Sequence, residues 1–113
     1  MPHLDIRVAK KIDAGTMQKL QLEIGNSMEL IPGKTISNTV IAISDGVSMF
    51  KGGVSLDGAF VDVRLYKESP AENKKEFSEK MFKILEDVLQ IPPGSVQMNF
   101  VELPDWASGG VYR

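Results

Sequence analysis

Residues 59–103 read AFVDVRLYKESPAENKKEFSEKMFKILEDVLQIPPGSVQMNFVEL, and this stretch decides the fold. Ala59 to Lys67 alternates: Ala59, Val61, Val63 and Leu65 point one way, and Phe60, Asp62, Arg64 and Tyr66 the other, the period of a strand with one buried face. SPAE, Ser69 to Glu72, has the form of a capping box with proline at the first helical position. The helix it opens carries Phe77, Met81, Ile84, Leu85, Val88 and Leu89 on one stripe. IPPGS stops that helix, and Val96 to Leu103 makes a second strand. Strand, amphipathic helix and strand in this order predict a right-handed crossover between parallel strands.

Working outward, the first half repeats the pattern. Pro2 to Val8 is a strand with Leu4, Ile6 and Val8 on one face and His3, Asp5 and Arg7 on the other. Asp13 is the expected N-cap of a helix reaching about Leu30, with the stripe Met17, Leu20, Ile24, Met28 and Ile31; Met17, Met28 and Met81 are assigned to the core. Gly25 should weaken this helix by roughly 1 kcal/mol relative to alanine. Ile31 to Lys34, IPGK, ends it, and Ile36 to Ser44 is the next strand. The glycine-rich link that follows contains Gly52 and Gly53, which do not lead from a strand into a helix and so form no phosphate loop. The halves are read as sharing architecture but no residues. The expectation is one α+β domain over 1–113, with pseudo-repeats 1–50 and 58–113: a duplicated β-α-β with a four-stranded mixed sheet and two helices on one face. The helix-free face, bearing Phe60, Asp62, Arg64 and Tyr66, is expected to meet other subunits.

Composition narrows the chemistry. The chain has 113 residues, 42% hydrophobic and 25% charged, with a net charge of −2. That balance argues against nucleic acid and anionic membranes as partners, both of which need clustered positive charge. The apolar runs are too short to span a bilayer. The start shows no basic stretch followed by an apolar one, so no secretory signal is expected and the cytoplasm is the expected compartment. There is no cysteine, and His3 is the single histidine, so thiolate catalysis, zinc–thiolate sites and a histidine-rich metal site are all ruled out within one chain. No cofactor is expected.

The second residue admits two readings. Proline at position 2 suits the first residue of a strand, since it cannot donate to the ladder. It has a second reading: loss of Met1 leaves a free secondary amine. A free α-amine titrates near 7.7–8.0, and apolar surroundings lower that value by disfavouring the cation. Such an amine is neutral at physiological pH without help from a histidine or a metal.

A duplicated β-α-β of this length, with Pro2 behind the initiator methionine, resembles the tautomerase superfamily, most closely its macrophage migration inhibitory factor-like branch. PGKT at 32–35, SMFKGG at 48–53, IPPGSVQMNFVELPDW at 91–106 and the tail LPDWASGG carry the resemblance. It implies a trimer with active sites between subunits and Pro2 as general base in a cofactor-independent tautomerase or isomerase. The substrate class it implies is a small 2-oxo or 2-hydroxy-enoic acid; dehalogenation, hydration and decarboxylation are further reactions of the family. Lys34 stands at the family's active-site lysine, where it would bind the substrate carboxylate. Otherwise it is a cation at the negative end of the first helix. Asn99 matches the family asparagine, and Tyr66 the residue that offers its backbone N–H to substrate. Gln97 replaces a pocket tyrosine. Arg64 is either a substrate arginine or the partner of Asp62 in an ion pair. Trp106 is a pocket wall or subunit contact, and His3 a surface residue. The alternative is a non-catalytic trimeric ligand-binding or interaction protein with a degenerate pocket.

Overall fold

The computed structural model describes residues 2–113; the expected removal of Met1 falls on a residue outside that range. In chain order the elements are β1 (His3–Val8), α1 (Ala14–Ser27), β2 (Val40–Ser44), β3 (Phe50–Lys51) and β4 (Val54–Ser55). There follow β5 (Ala59–Tyr66), α2 (Ala71–Leu89), β6 (Val96–Leu103), β7 (Ala107–Ser108) and β8 (Val111–Tyr112). The main sheet has the order β2-β1-β5-β6. Its central pair is antiparallel, and each outer strand is parallel to its inner neighbour. This is the α+β architecture expected from the paired crossovers.

Alternation builds the core. Leu4, Ile6 and Val8 of β1 and Ala59, Val61, Val63 and Leu65 of β5 are buried, and so are Leu20 and Ile24 of α1 and Phe77, Met81 and Leu85 of α2. The two helices lie against each other over this face. The Phe77 ring meets Phe100 of β6 edge-on, centroids 6.2 Å apart. Asp13 caps α1 as expected: its Oδ1 accepts the Thr16 N–H at 2.8 Å and its Oδ2 the Thr16 hydroxyl at 3.0 Å. These bonds hold its carboxyl below the usual carboxylate range.

Several boundaries differ from the sequence reading. The first helix ends at Ser27, and Met28–Leu30 is a 3-10 turn. Met17 is half-buried and stands outside the core that takes Met28 and Met81; it lies on the first turn, short of the packed stretch. The strand expected from Ile36 begins only at Val40, because Ile36–Asn38 is another 3-10 turn. There Asn38 Oδ1 accepts the Thr35 N–H at 3.1 Å, and the Thr39 hydroxyl donates to the Thr35 carbonyl at 2.6 Å. These side-chain bonds offer the backbone an alternative to the ladder. β1 starts one residue late, at His3. β5 stops at Tyr66, since Lys67 takes a φ of 66°.

Ser69 does not cap α2. Pro70 occupies the N-cap position, and the Ser69 N–H donates instead to Glu102 Oε2 of β6 at 2.6 Å. Lys74 Nζ binds Glu102 Oε1 at 2.8 Å. With the Ser69 bond, this contact holds the Glu102 carboxyl below its ordinary range. A depressed folded-state pKa means that the tie is present at neutral pH and is lost as the pH falls through that value.

Gly25 shows how packing overrides propensity. It is buried, and a Cβ built there would stand 2.6 Å from Ile36 Cδ1 and Cγ1. Gly25→Ala should therefore destabilise the protein by about 1–3 kcal/mol through overpacking, where an exposed helix position would gain about 1. Urea denaturation checks the sign; a raised midpoint would show that Ile36 swings clear.

The register also corrects the view that the halves share no residues. Helices begin at 14 and 71, 3-10 turns at 36 and 93, and terminal hairpins at 50 and 107. Asp5 lies directly opposite Asp62, on the internal two-fold axis these starts define. At this common offset of 57 residues, LDIRVAK (4–10) aligns with VDVRLYK (61–67), and the turn GGV at 52–54 with GGV at 109–111. Both glycine pairs have positive φ, from 58° to 84°, as two-residue hairpin turns of the primed type require.

Candidate active site at the start of the first strand

Pro2 sits where β1 meets the loop before β2. It is buried, and its carbonyl accepts the Val40 N–H at 3.1 Å. It forms one wall of a cavity of about 450 Å³. The remaining walls are His3, the segment Ser37–Val40, and the tail segment Trp106–Gly109. Ser37, Asn38, Thr39 and Ser108 place hydroxyl and amide groups on the lining, and among the described residues His3 carries its only titratable side chain. The volume suits a small molecule.

The tail is held in place by its own bonds. β7 and β8 form a hairpin, the Arg113 N–H donates to the Trp106 carbonyl at 2.8 Å, and the Tyr112 hydroxyl donates to Asp105 Oδ1 at 2.8 Å. That last bond pushes the Tyr112 phenol up from its ordinary pKa. Trp106 also lies against Tyr66, ring centroids 6.4 Å apart, with Lys67 Nζ 5.0 Å from the Tyr66 ring centre. Trp106 is thus a pocket wall.

The other residues singled out in the sequence are spread over the sheet. Lys34 is half-buried in the loop after α1, its N–H donating to the Ile31 carbonyl at 3.1 Å, and it does not line the Pro2 cavity. Arg64 is exposed on the helix-free face, directly opposite His3. It makes no ion pair with Asp62 among the described residues; Asp62 Oδ1 accepts from Asn99 Nδ2 at 2.5 Å instead. Gln97 pairs with Phe60, itself opposite Arg7, at the far end of the sheet from Pro2. Within one chain, then, Pro2 and Trp106 come together while Lys34, Gln97 and Asn99 stay off that cavity. Ser37–Thr39 were missed from sequence because 36–44 reads as continuous strand, the one available signal being the Thr35-x-x-Asn38 spacing; Ser108, in the tail hairpin, carried no signal of its own.

No protein-family model matches the chain, and no curated protein matches it in sequence. Solved structures do share its fold. Leishmania major MIF2 superposes with a TM-score of 0.91 at 18% identity, covering 100% of this chain and 97% of that one. The macrophage migration inhibitory factor-like protein of Entamoeba histolytica gives 0.87 at 21% identity, covering 99% and 98%. F6 fused 4-OT, solved as an asymmetric trimer, gives 0.82 at 16% identity over 97% and 94%. The chain therefore shares the fold of these migration inhibitory factor-like proteins and of the fused 4-OT.

Proposed function

We propose that this protein is a cofactor-independent tautomerase of small 2-oxo or 2-hydroxy-enoic acids, working as a homotrimer with Pro2, freed of Met1, as general base. The observation that carries the reading is the burial of Pro2 in the wall of a cavity where, among the described residues, His3 is the only titratable side chain. The neutral amine takes the hydroxyl proton of the enol, and the resulting ammonium returns a proton to carbon. No metal, redox partner or net change of atoms is required. Lys34, off this cavity within one chain, supplies positive charge for the substrate carboxylate in the assembled site, and Tyr66 its backbone N–H. Gln97 and Asn99 lie away from Pro2 in one chain; a neighbouring subunit is their route to the site, and Arg64 stands beside His3 at its margin.

Protein shown by intact mass to lack Met1 is assayed against a panel of enolised 2-oxo acids. Turnover of at least one supports the proposal. Binding without turnover across the panel supports the alternative, a trimeric ligand-binding protein with a degenerate pocket. Lys34→Ala should raise KM, or lower kcat/KM by about tenfold, the loss of one charged hydrogen bond, with the assembly unchanged. Equal kinetics on every carboxylate substrate would remove Lys34 from the site. Light scattering should give three times the monomer mass at micromolar concentration; a monomer throughout would refute the assembly and, with it, the use of Gln97 and Asn99.

A further inference from the structure

A base at Pro2 performs half of a tautomerisation. As the amine takes the hydroxyl proton of an enol, negative charge gathers on the oxygen at C2, and a donor already aimed there stabilises it. No lysine or arginine lines the cavity among the described residues. Within one chain that donor is a neutral group or His3, and the 3-10 turn beside Pro2 carries a neutral group suited to the task.

The turn Ile36–Asn38 is fixed from within. The Thr35 N–H donates to one end of the Asn38 side-chain amide at 3.1 Å. Only the carbonyl end of an amide accepts from an N–H, so that end is Oδ1 and the other is Nδ2. The Asn38 backbone N–H in turn meets the Thr35 carbonyl at 3.3 Å. Neighbouring hydroxyls are already engaged: Thr39 Oγ1 donates to the Thr35 carbonyl at 2.6 Å, and Ser37 Oγ is paired with Thr35 Oγ1 at 2.9 Å. Asn38 Nδ2 has no acceptor among the described residues. Two N–H donors are thus left free on a half-buried side chain that lines the Pro2 cavity, their direction set by the bond at the other end of the amide.

We propose that Asn38 is a catalytic residue whose Nδ2 donates a hydrogen bond to the C2 oxygen of the substrate. The assignment rests on the tautomerase reading and adds to it the group that meets the developing charge while Pro2 moves the proton. The donor keeps its own protons throughout, and the bond tightens as the oxygen becomes an enolate. Asn38 and Pro2 belong to the same wall of the same chain, so the pairing needs no neighbouring subunit.

Asn38→Asp tests the rate. One carboxylate oxygen still accepts the Thr35 N–H, so the turn and the urea midpoint should be kept, while the other oxygen replaces a donor with an acceptor. Turnover of an enolised 2-oxo acid is measured on the alkaline plateau, where Pro2 is neutral. There kcat should fall about 10²-fold, the usual loss for one such donor. The new negative charge should also move the midpoint of the pH profile upward, since it favours the Pro2 cation. Wild-type kcat in this variant would overturn the proposal and leave the role of Pro2 standing. A second arm uses processed wild-type protein and NMR of nitrogen-15-labelled side-chain amides. Oxamate, whose C2 carbonyl cannot enolise, should give a saturable shift of the Asn38 amide; propionate, which has no oxygen at C2, should not. Equal shifts with both acids, shifts confined to the Trp106 indole or the His3 ring, or no Asn38 shift at millimolar oxamate would each overturn the assignment. This arm needs neither a folded variant nor turnover. A panel of 2-oxo acids left unturned by processed protein would thus refute the tautomerase reading alone, and the oxamate comparison would still decide Asn38.

Discussion

A preparation that keeps Met1 should turn over a 2-oxo acid about 10²–10⁴-fold more slowly than processed protein, the usual loss when a general base is removed. With Met1 attached, the Pro2 nitrogen is an amide and has no basic lone pair. With Met1 gone, it is a secondary amine held in a buried wall by the Pro2 carbonyl's bond to Val40. Burial disfavours its cation, as does a nearby Lys34 ammonium if the assembled site brings one close. The rate should rise with pH through a midpoint below the ordinary α-amine range of about 7.7–8.0. Pro2→Ala keeps a primary amine and should keep part of the rate. His3→Gln separates the competing base, because His3 is the other titratable group on the wall. The Gln variant should retain the wild-type pH midpoint. Full activity in Met1-retaining protein, proven by mass, would reduce Pro2 to a strand-starting residue.

Phe77→Ala should cost about 3–5 kcal/mol, a large share of the 5–15 kcal/mol that stabilises a domain of this size. Phe77 is fully buried between α2 and the sheet and meets Phe100 edge-on, so truncation removes both its transfer term and an aromatic contact and leaves a void. Met17→Ala on the facing helix is the control. Met17 belongs to an equally regular stripe in the sequence but is half-buried and outside the core, so its loss should cost well under half as much. Urea midpoints of the two variants settle the contrast; equal losses would mean that the α1 stripe is packed through its first turn.

These two residues mark where sequence reading holds and where it stops. Alternation with period two and stripes at three and four identify both strand–helix–strand units, because any amphipathic element must turn its apolar side inward whatever it packs against. The same logic placed Asp13 at a helix start, since a cap is satisfied within four residues. It failed at Ser69, whose N–H goes to Glu102 on another strand, and at Ile36–Asn38, where side chains within the turn outcompete the ladder. The repeat of LDIRVAK in VDVRLYK was present in the letters, yet only the register that sets Asp5 against Asp62 supplies the alignment.

The chain by itself determined what is local: two β-α-β units, their faces, and the absence of thiol and histidine-cluster chemistry. Tertiary structure alone decided what depends on distance. It put Pro2 with Trp106 and the 37–40 turn, kept Gln97 at the other end of the sheet, and set Ile36 against Gly25. Periodicity records which way a side chain faces along its own element. Which element it then meets depends on how separate segments pack, and no local pattern carries that information.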